Sequence, residues 1–310
     1  MGSYSGTVYK EEMKMTAPCL SNGGVIGICS PSHAAVYEEY QVTIEAIRQK
    51  GFRVLEADNL YKNTYGYLAS PQERADDFNS LVENPEVELI WFGGGEGGNE
   101  LLPYLDFEML KRHPKRICSY SDGTTILNAV WANTKLETYY GQTPGHFREV
   151  SDYDYENFSG YLVRDDRRAH KANSRWRVQT AGTGEGILIG GYARNFAMLL
   201  GSRYFPIDMD GEYILFLEDH EMFGGVDYVS AMISHIEQTD FIHCVRGLVF
   251  GHYSEQEQPH LWNRLKRLGE RYGIPVVYCD DFGHGYGNHA ILPIGRRARL
   301  DTEKGILSYL

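Results

Sequence analysis

Glu88-Leu89-Ile90-Trp91-Phe92-Gly93-Gly94-Gly95-Glu96-Gly97-Gly98 decides how this chain is read. Five mostly apolar residues form a strand too short and too uniformly apolar for a surface helix, and they run straight into a glycine-rich turn. The same rhythm surrounds it. Upstream, Val25-Ile26-Gly27-Ile28-Cys29 reads as a buried strand ending at Ser30-Pro31-Ser32, and Glu38 to Lys50 has helical spacing that stops at Gly51. Arg53 to Ala57 is the next strand, and Ser70-Pro71 opens a helix through Ala75, Phe78 and Leu81. Downstream, Arg116 to Tyr120 is a fourth strand, followed by a helix from about Thr124 to Asn133. Alternation of this kind predicts an α/β protein with a largely parallel sheet covered by helices on both faces.

The rhythm breaks between Ser151 and Arg177, where Asp, Tyr, Arg and Ser crowd without a sustained period, and this predicts a connecting loop. Strands then follow at Gly186–Ile189, Tyr213–Leu217, Gly247–Phe250 and Pro275–Cys279, with helices through Phe196–Leu200, Val226–Ile236 and Leu261–Tyr272. Ile291 to Leu310 reads as a closing pair of strands. The expected division is an N-terminal domain over 1–150, a loop over 151–177 and a C-terminal domain over 178–310.

Composition narrows the function. The 310 residues carry a net charge of -12, which opposes partnership with nucleic acid or an anionic membrane surface. No run approaches the length of a bilayer span, and Met1 to Leu20 has no apolar core behind a basic start, so no membrane or secretory segment is expected. Cys19, Cys29, Cys118, Cys244 and Cys279 are odd in number and scattered, which suits reduced thiols in the cytoplasm.

Four segments could carry chemistry. Gly93-x-Gly95-x-x-Gly98 fits a dinucleotide fingerprint but follows the third strand, not the first; it would equally suit a tight turn, or an oxyanion hole built from backbone N–H groups. An NAD(P)-dependent oxidoreductase is the reading of another class that this loop permits. In Ser119-Tyr120-Ser121-Asp122-Gly123 a strand hands a serine to a helix start, as in a nucleophile elbow, although Ser121 or Asp122 could simply cap that helix. Glu218-Asp219-His220-Glu221 ends a strand with carboxylates able to orient a histidine, without the spacing of HExxH. His284 lies between Gly283 and Gly285, which lets backbone approach closely on both sides.

In this order the segments resemble the LD-carboxypeptidase family of serine peptidases, which includes the microcin C immunity peptidases. The resemblance runs from Gly24 through Ser30-Pro31-Ser32, Gly94-Gly95-x-Gly97 with Asn99-x-Leu101-Leu102, Tyr120-Ser121-Asp122, Gly190-Gly191, Leu215-Phe216-Leu217-Glu218-Asp219, Phe282-Gly283-His284-Gly285 and Leu292-Pro293-Ile294-Gly295. It departs where Gly93 replaces a common arginine, where Tyr192 replaces a common asparagine, and where Cys118-Ser119 precedes the Tyr-Ser-Asp core.

The resemblance implies a flavodoxin-like N-terminal sheet, a C-terminal α/β domain with a partly barrel-like sheet, and a site between them. It implies Ser121 as nucleophile, His284 as general base and Glu218 as its orienting carboxylate. Backbone N–H groups of Asp122 and of Gly94 or Gly95 would form the oxyanion hole. Neither a metal nor an organic cofactor is implied, and a homodimer is. The expected substrate is a murein tetrapeptide cut between an L-centre and a terminal D-amino acid; the alternative is a peptidyl-aminoacyl nucleotide. Trp176 could stack on a nucleobase or belong to the core.

Overall fold

A computed structural model describes residues 15–310 apart from 286, so most of the stretch tested for a signal segment, and Tyr286 of the histidine–glycine run, lie outside the described residues. The elements are β1 (Val25–Cys29), α1 (Tyr37–Gln49), β2 (Arg53–Glu56), α2 (Pro71–Glu83), β3 (Val87–Phe92), α3 (Phe107–Arg112), β4 (Arg116–Ser119), α4 (Thr124–Thr134), β5 (Thr138–Tyr140) and α5 (Asp152–Phe158). The second half contributes β6 (Arg177–Thr180), β7 (Thr183–Tyr192), α6 (Ala193–Leu199), β8 (Tyr213–Glu218), α7 (Val226–Glu237), β9 (Val245–Phe250), α8 (Pro259–Tyr272) and β10 (Val276–Tyr278). The chain closes with β11 (Leu292–Ile294), β12 (Arg297–Asp301) and β13 (Ile306–Tyr309).

The first sheet has the order β11-β5-β4-β3-β1-β2, parallel from β2 to β5. This is the flavodoxin-like order expected, and its strand ends gather where the order reverses beside β1. The second sheet, β13-β12-β7-β8-β9-β10-β6, is parallel from β7 to β10, antiparallel at both edges, and curls into a half-barrel. Local chemistry sets the boundaries. Ser70 accepts from the Glu73 amide while Glu73 reaches back to the Ser70 amide, a full capping box ahead of Pro71. Among the described residues, no helix is long and apolar enough to cross a membrane.

Two expectations need correction. The 151–177 stretch is not irregular throughout. Ser151 caps α5 by accepting from the Asp154 amide, and the helix continues as a π turn over Ser159–Val163. Buried Phe158 anchors it against Trp91, Phe147 and Phe52, a packing that the polar neighbours hide in the sequence. The C-terminal stretch is not a simple pair either. β11 crosses back to pair antiparallel with β5 of the first sheet, leaving β12 and β13 as the hairpin of the second.

The halves meet along α4. Thr124 Oγ1 accepts from the Tyr192 amide at 2.9 Å, and Asn128 Nδ2 donates to Gly190 O at 2.8 Å. Gly191 is needed here: its φ is +134°, and a Cβ would stand 2.3 Å from Thr124 Oγ1.

Candidate active site

β4 ends at Ser119, and the chain turns so sharply that Ser121 has a φ of +56° before α4 begins. A non-glycine residue in the left-handed region marks a position held by its surroundings. The glycine loop after β3 supplies part of that hold. Gly94 packs so closely that a Cβ would lie 2.6 Å from Ser121 Cβ, and a Cβ on Gly95 would lie 2.2 Å from Ser32 O.

The capping alternative does not describe Asp122. Its carboxylate turns away from α4, accepting from the Gly98 amide at 2.6 Å and from Asn195 Nδ2 at 2.5 Å. Burial pushes that carboxyl up, and these donors oppose the rise. The loop itself opens a 3-10 turn over Gly98–Tyr104 instead of the α-helix whose N-terminus a pyrophosphate needs, and its Gly98 amide is already engaged.

Three side chains from separate segments converge. His284 Nε2 lies 2.9 Å from Ser121 Oγ, and His284 Nδ1 lies 2.8 Å from Glu218 Oε2. The His284 amide donates to the same Oε2 at 3.1 Å. A carboxylate can only accept, so Nδ1 carries the proton and Nε2 is left to accept from the serine hydroxyl. Glu218 is fully buried at the end of β8. Its second oxygen accepts from Tyr140 Oη at 2.5 Å, and Tyr140 Oη in turn accepts from the Ser121 amide at 3.2 Å. Serine, histidine, glutamate and tyrosine thus close a ring of hydrogen bonds. Burial, then the Glu218 charge, drives the Tyr140 phenol well up, so it stays a donor at any ordinary pH.

Tyr140 is absent from the sequence reading. It ends a three-residue strand in Tyr139-Tyr140-Gly141, and only its position beside β4 reveals its role. The ring environment of His284 is equally tertiary: Tyr120, Phe223 and Tyr192 lie 4.5, 4.7 and 5.1 Å away, centroid to centroid.

The other candidates fall around this centre. Asp219 is buried beside Glu218, with Oδ1 accepting from the His220 amide and Oδ2 unpartnered; burial, then Glu218, raises its carboxyl to about 7. His220 Nδ1 accepts from the Met222 amide at 3.2 Å, within the turn after β8. Trp176 spends its indole N–H on Asp281 at 2.8 Å and stays half-buried. With Arg177 and Trp262 it lines a cavity of about 660 Å³.

Fold and site together define a class: a two-domain α/β serine peptidase. Residues 26–141 match the family model for the LD-carboxypeptidase N-terminal domain, and residues 185–300 that for the C-terminal domain. The chain belongs to the LD-carboxypeptidase family. It is 29% identical to the microcin C7 self-immunity protein MccF of Escherichia coli, over 95% of each chain. It is also 29% identical to a Vibrio cholerae protein named as a carboxypeptidase, over 93% of this chain and 95% of that one. Among solved structures, MccF in its wild-type apo state superposes with a TM-score of 0.84 at 25% identity, covering 94% of this chain and 97% of that one. A muramoyltetrapeptide carboxypeptidase from Oxalobacter formigenes shares the fold, with a TM-score of 0.77 at 23% identity over 92% and 97%.

Proposed function

We propose that this protein is a carboxypeptidase that hydrolyses the amide between an L-configured centre and a terminal D-amino acid, as in a murein tetrapeptide. Ser121 Oγ attacks the scissile carbonyl while His284 Nε2 takes its proton, and Glu218 holds the resulting imidazolium in place. The backbone N–H of Asp122, with that of Gly94 or Gly95, faces the oxyanion; each such donor is worth about 3–4 kcal/mol in the transition state. The intermediate collapses, His284 returns the proton to the leaving amine, and the D-amino acid departs. Water activated by His284 then releases the acyl group from Ser121. The single observation that carries this reading is the Ser121–His284–Glu218 chain of hydrogen bonds. All five cysteines are free thiols, which supports placing the enzyme in the reducing cytoplasm.

A second reading has the same machinery cutting a peptidyl-aminoacyl nucleotide. Two observations favour it: MccF matches 95% of this chain, and the cavity walled by Trp176, Trp262 and Arg177 could stack a base. MccF has been solved with aspartyl sulfamoyl adenosine. Assaying D-alanine release from a murein tetrapeptide beside sulfamoyl adenosine release from aspartyl sulfamoyl adenosine separates the two. D-alanine release at the higher kcat/KM supports the first reading, and sulfamoyl adenosine release without D-alanine supports the second.

A further inference from the structure

One ion pair at the rim of the cleft plays no part in the catalytic ring. Arg194, at the start of α6, donates through Nη1 to Glu96 Oε1 at 2.5 Å, and Glu96 stands on the glycine loop of the other half. The pair therefore bridges the two halves. The chain neighbours of Arg194 touch the site. Tyr192, two residues before Arg194, contacts the His284 ring, and Asn195, one residue after it, holds the Asp122 carboxylate. Arg194 and Asp122 line a single cavity of about 280 Å³ with Gly97, Asn99, Tyr67 and Met198.

The pair is open to exchange. Arg194 is 34% and Glu96 is 70% exposed, and an exposed pair of this kind adds little to stability. The Glu96 backbone is fixed by its amide on Ser32 O at 2.7 Å, while glycines in the left-handed region flank it on either side. Its side chain can swing away without moving the loop. The guanidinium left behind presents paired donors matched to another carboxylate. It lies within reach of the nucleophile: Asp122, the residue after Ser121, lines the same cavity as Arg194, and Gly94 of the loop that carries Glu96 packs against Ser121.

We propose that Arg194 recognises the free C-terminal carboxylate of the substrate's leaving amino acid, and that Glu96 occupies that position until substrate displaces it. This rests on the carboxypeptidase reading, because only a substrate whose leaving group ends in a carboxylate offers Arg194 that partner. Arg194 is then the residue that makes the enzyme select a chain terminus.

The test compares a tetrapeptide ending in D-alanine with its C-terminal amide, for wild type, Arg194→Gln, Arg194→Lys and Glu96→Gln. Wild type is expected to prefer the acid about 100-fold in kcat/KM, and Arg194→Gln to collapse that preference to about 3-fold through KM. Arg194→Lys restores part of it, and Glu96→Gln lowers KM for the acid. A purely structural pair would damage cleavage of both peptides alike and make Glu96→Gln as harmful as Arg194→Gln. That result, or full acid preference in Arg194→Gln, overturns the proposal and leaves the carboxypeptidase reading intact.

A second arm needs no turnover. Calorimetric binding of the acid tetrapeptide to Ser121→Ala should weaken about 30-fold when Arg194→Gln is added. Equal affinity, or no binding to either protein, overturns the proposal. If wild type cleaves neither peptide, the carboxypeptidase reading fails, and this arm alone decides the role of Arg194.

Discussion

Tyr140→Phe removes one oxygen atom from the centre of the site and little else. The ring remains packed 5.6 Å from Tyr120 and 5.5 Å from Phe216, so the cavity keeps its shape. Two hydrogen bonds are lost: the donation to Glu218 Oε1 at 2.5 Å and the acceptance from the Ser121 amide at 3.2 Å. A bond to a buried charged group is worth about 1.5–3 kcal/mol, and an orphaned buried amide costs about 1 kcal/mol more. Both groups also set the reacting geometry, since one orients His284 and the other holds the left-handed turn at Ser121. We expect kcat/KM to fall about 10- to 100-fold, equivalent to about 1.4–2.7 kcal/mol. The unfolding midpoint should drop by roughly 4–6 °C. Tyr139→Phe is the control. It loses a bond from Arg116 on the far side of β5, so it should lower the midpoint and leave kcat/KM within about 2-fold. The assay is steady-state amide hydrolysis beside thermal unfolding of the same samples. A Tyr140→Phe enzyme of full kcat/KM but lowered midpoint would confine the tyrosine to a structural role and refute the reasoning.

Three further outcomes follow from the same geometry. Glu218→Gln keeps a hydrogen-bonding group beside His284 but no longer enforces a proton on Nδ1; kcat should fall by about 10³–10⁴, with KM changed far less, in single-turnover and steady-state kinetics. The Asp219 carboxyl sits at about 7 in the folded protein against an ordinary 3.8, so the native state binds the extra proton. Stability from this group is complete below about pH 4 and is lost as pH rises towards 7. Asp219→Asn should therefore gain on wild type across that window, by at most about 4 kcal/mol, in denaturant unfolding at a series of pH values. Gly191→Ala drives a Cβ into Thr124 Oγ1 at a left-handed position; a loss of about 2–4 kcal/mol is expected in the same unfolding assay, and a neutral result would deny the close approach of α4 to β7.

The parallel strands and their helices were legible because each signal is local: a short apolar run, a proline after a capping serine, a glycine after a charged helix. Ser121 and Glu218 stood out as candidates because each closes a strand, and His284 because glycines flank it; their separate roles came from the family resemblance. Tyr140 was not, since nothing in Tyr139-Tyr140-Gly141 distinguishes a tyrosine that packs from one that holds a carboxylate. The helix at Asp152–Phe158 was missed because two of its three buried residues, Asp154 and Asn157, are polar, so its inward face does not read as apolar. The return of β11 to the first sheet depends on pairing with β5 across more than 150 residues, a register that no local pattern encodes. Gly190-Gly191 was visible as a motif, but its cause, contact with α4, exists only once both halves are folded.

One serine, Ser121, is proposed to carry the chemistry. The measurement that tests this most directly is D-alanine release from a murein tetrapeptide by wild type and by Ser121→Ala, with equal unfolding midpoints confirming that both are folded. A fall of about 10⁴-fold or more is expected in the variant, in EDTA as in its absence. Release at the wild-type rate from Ser121→Ala would contradict that role for Ser121.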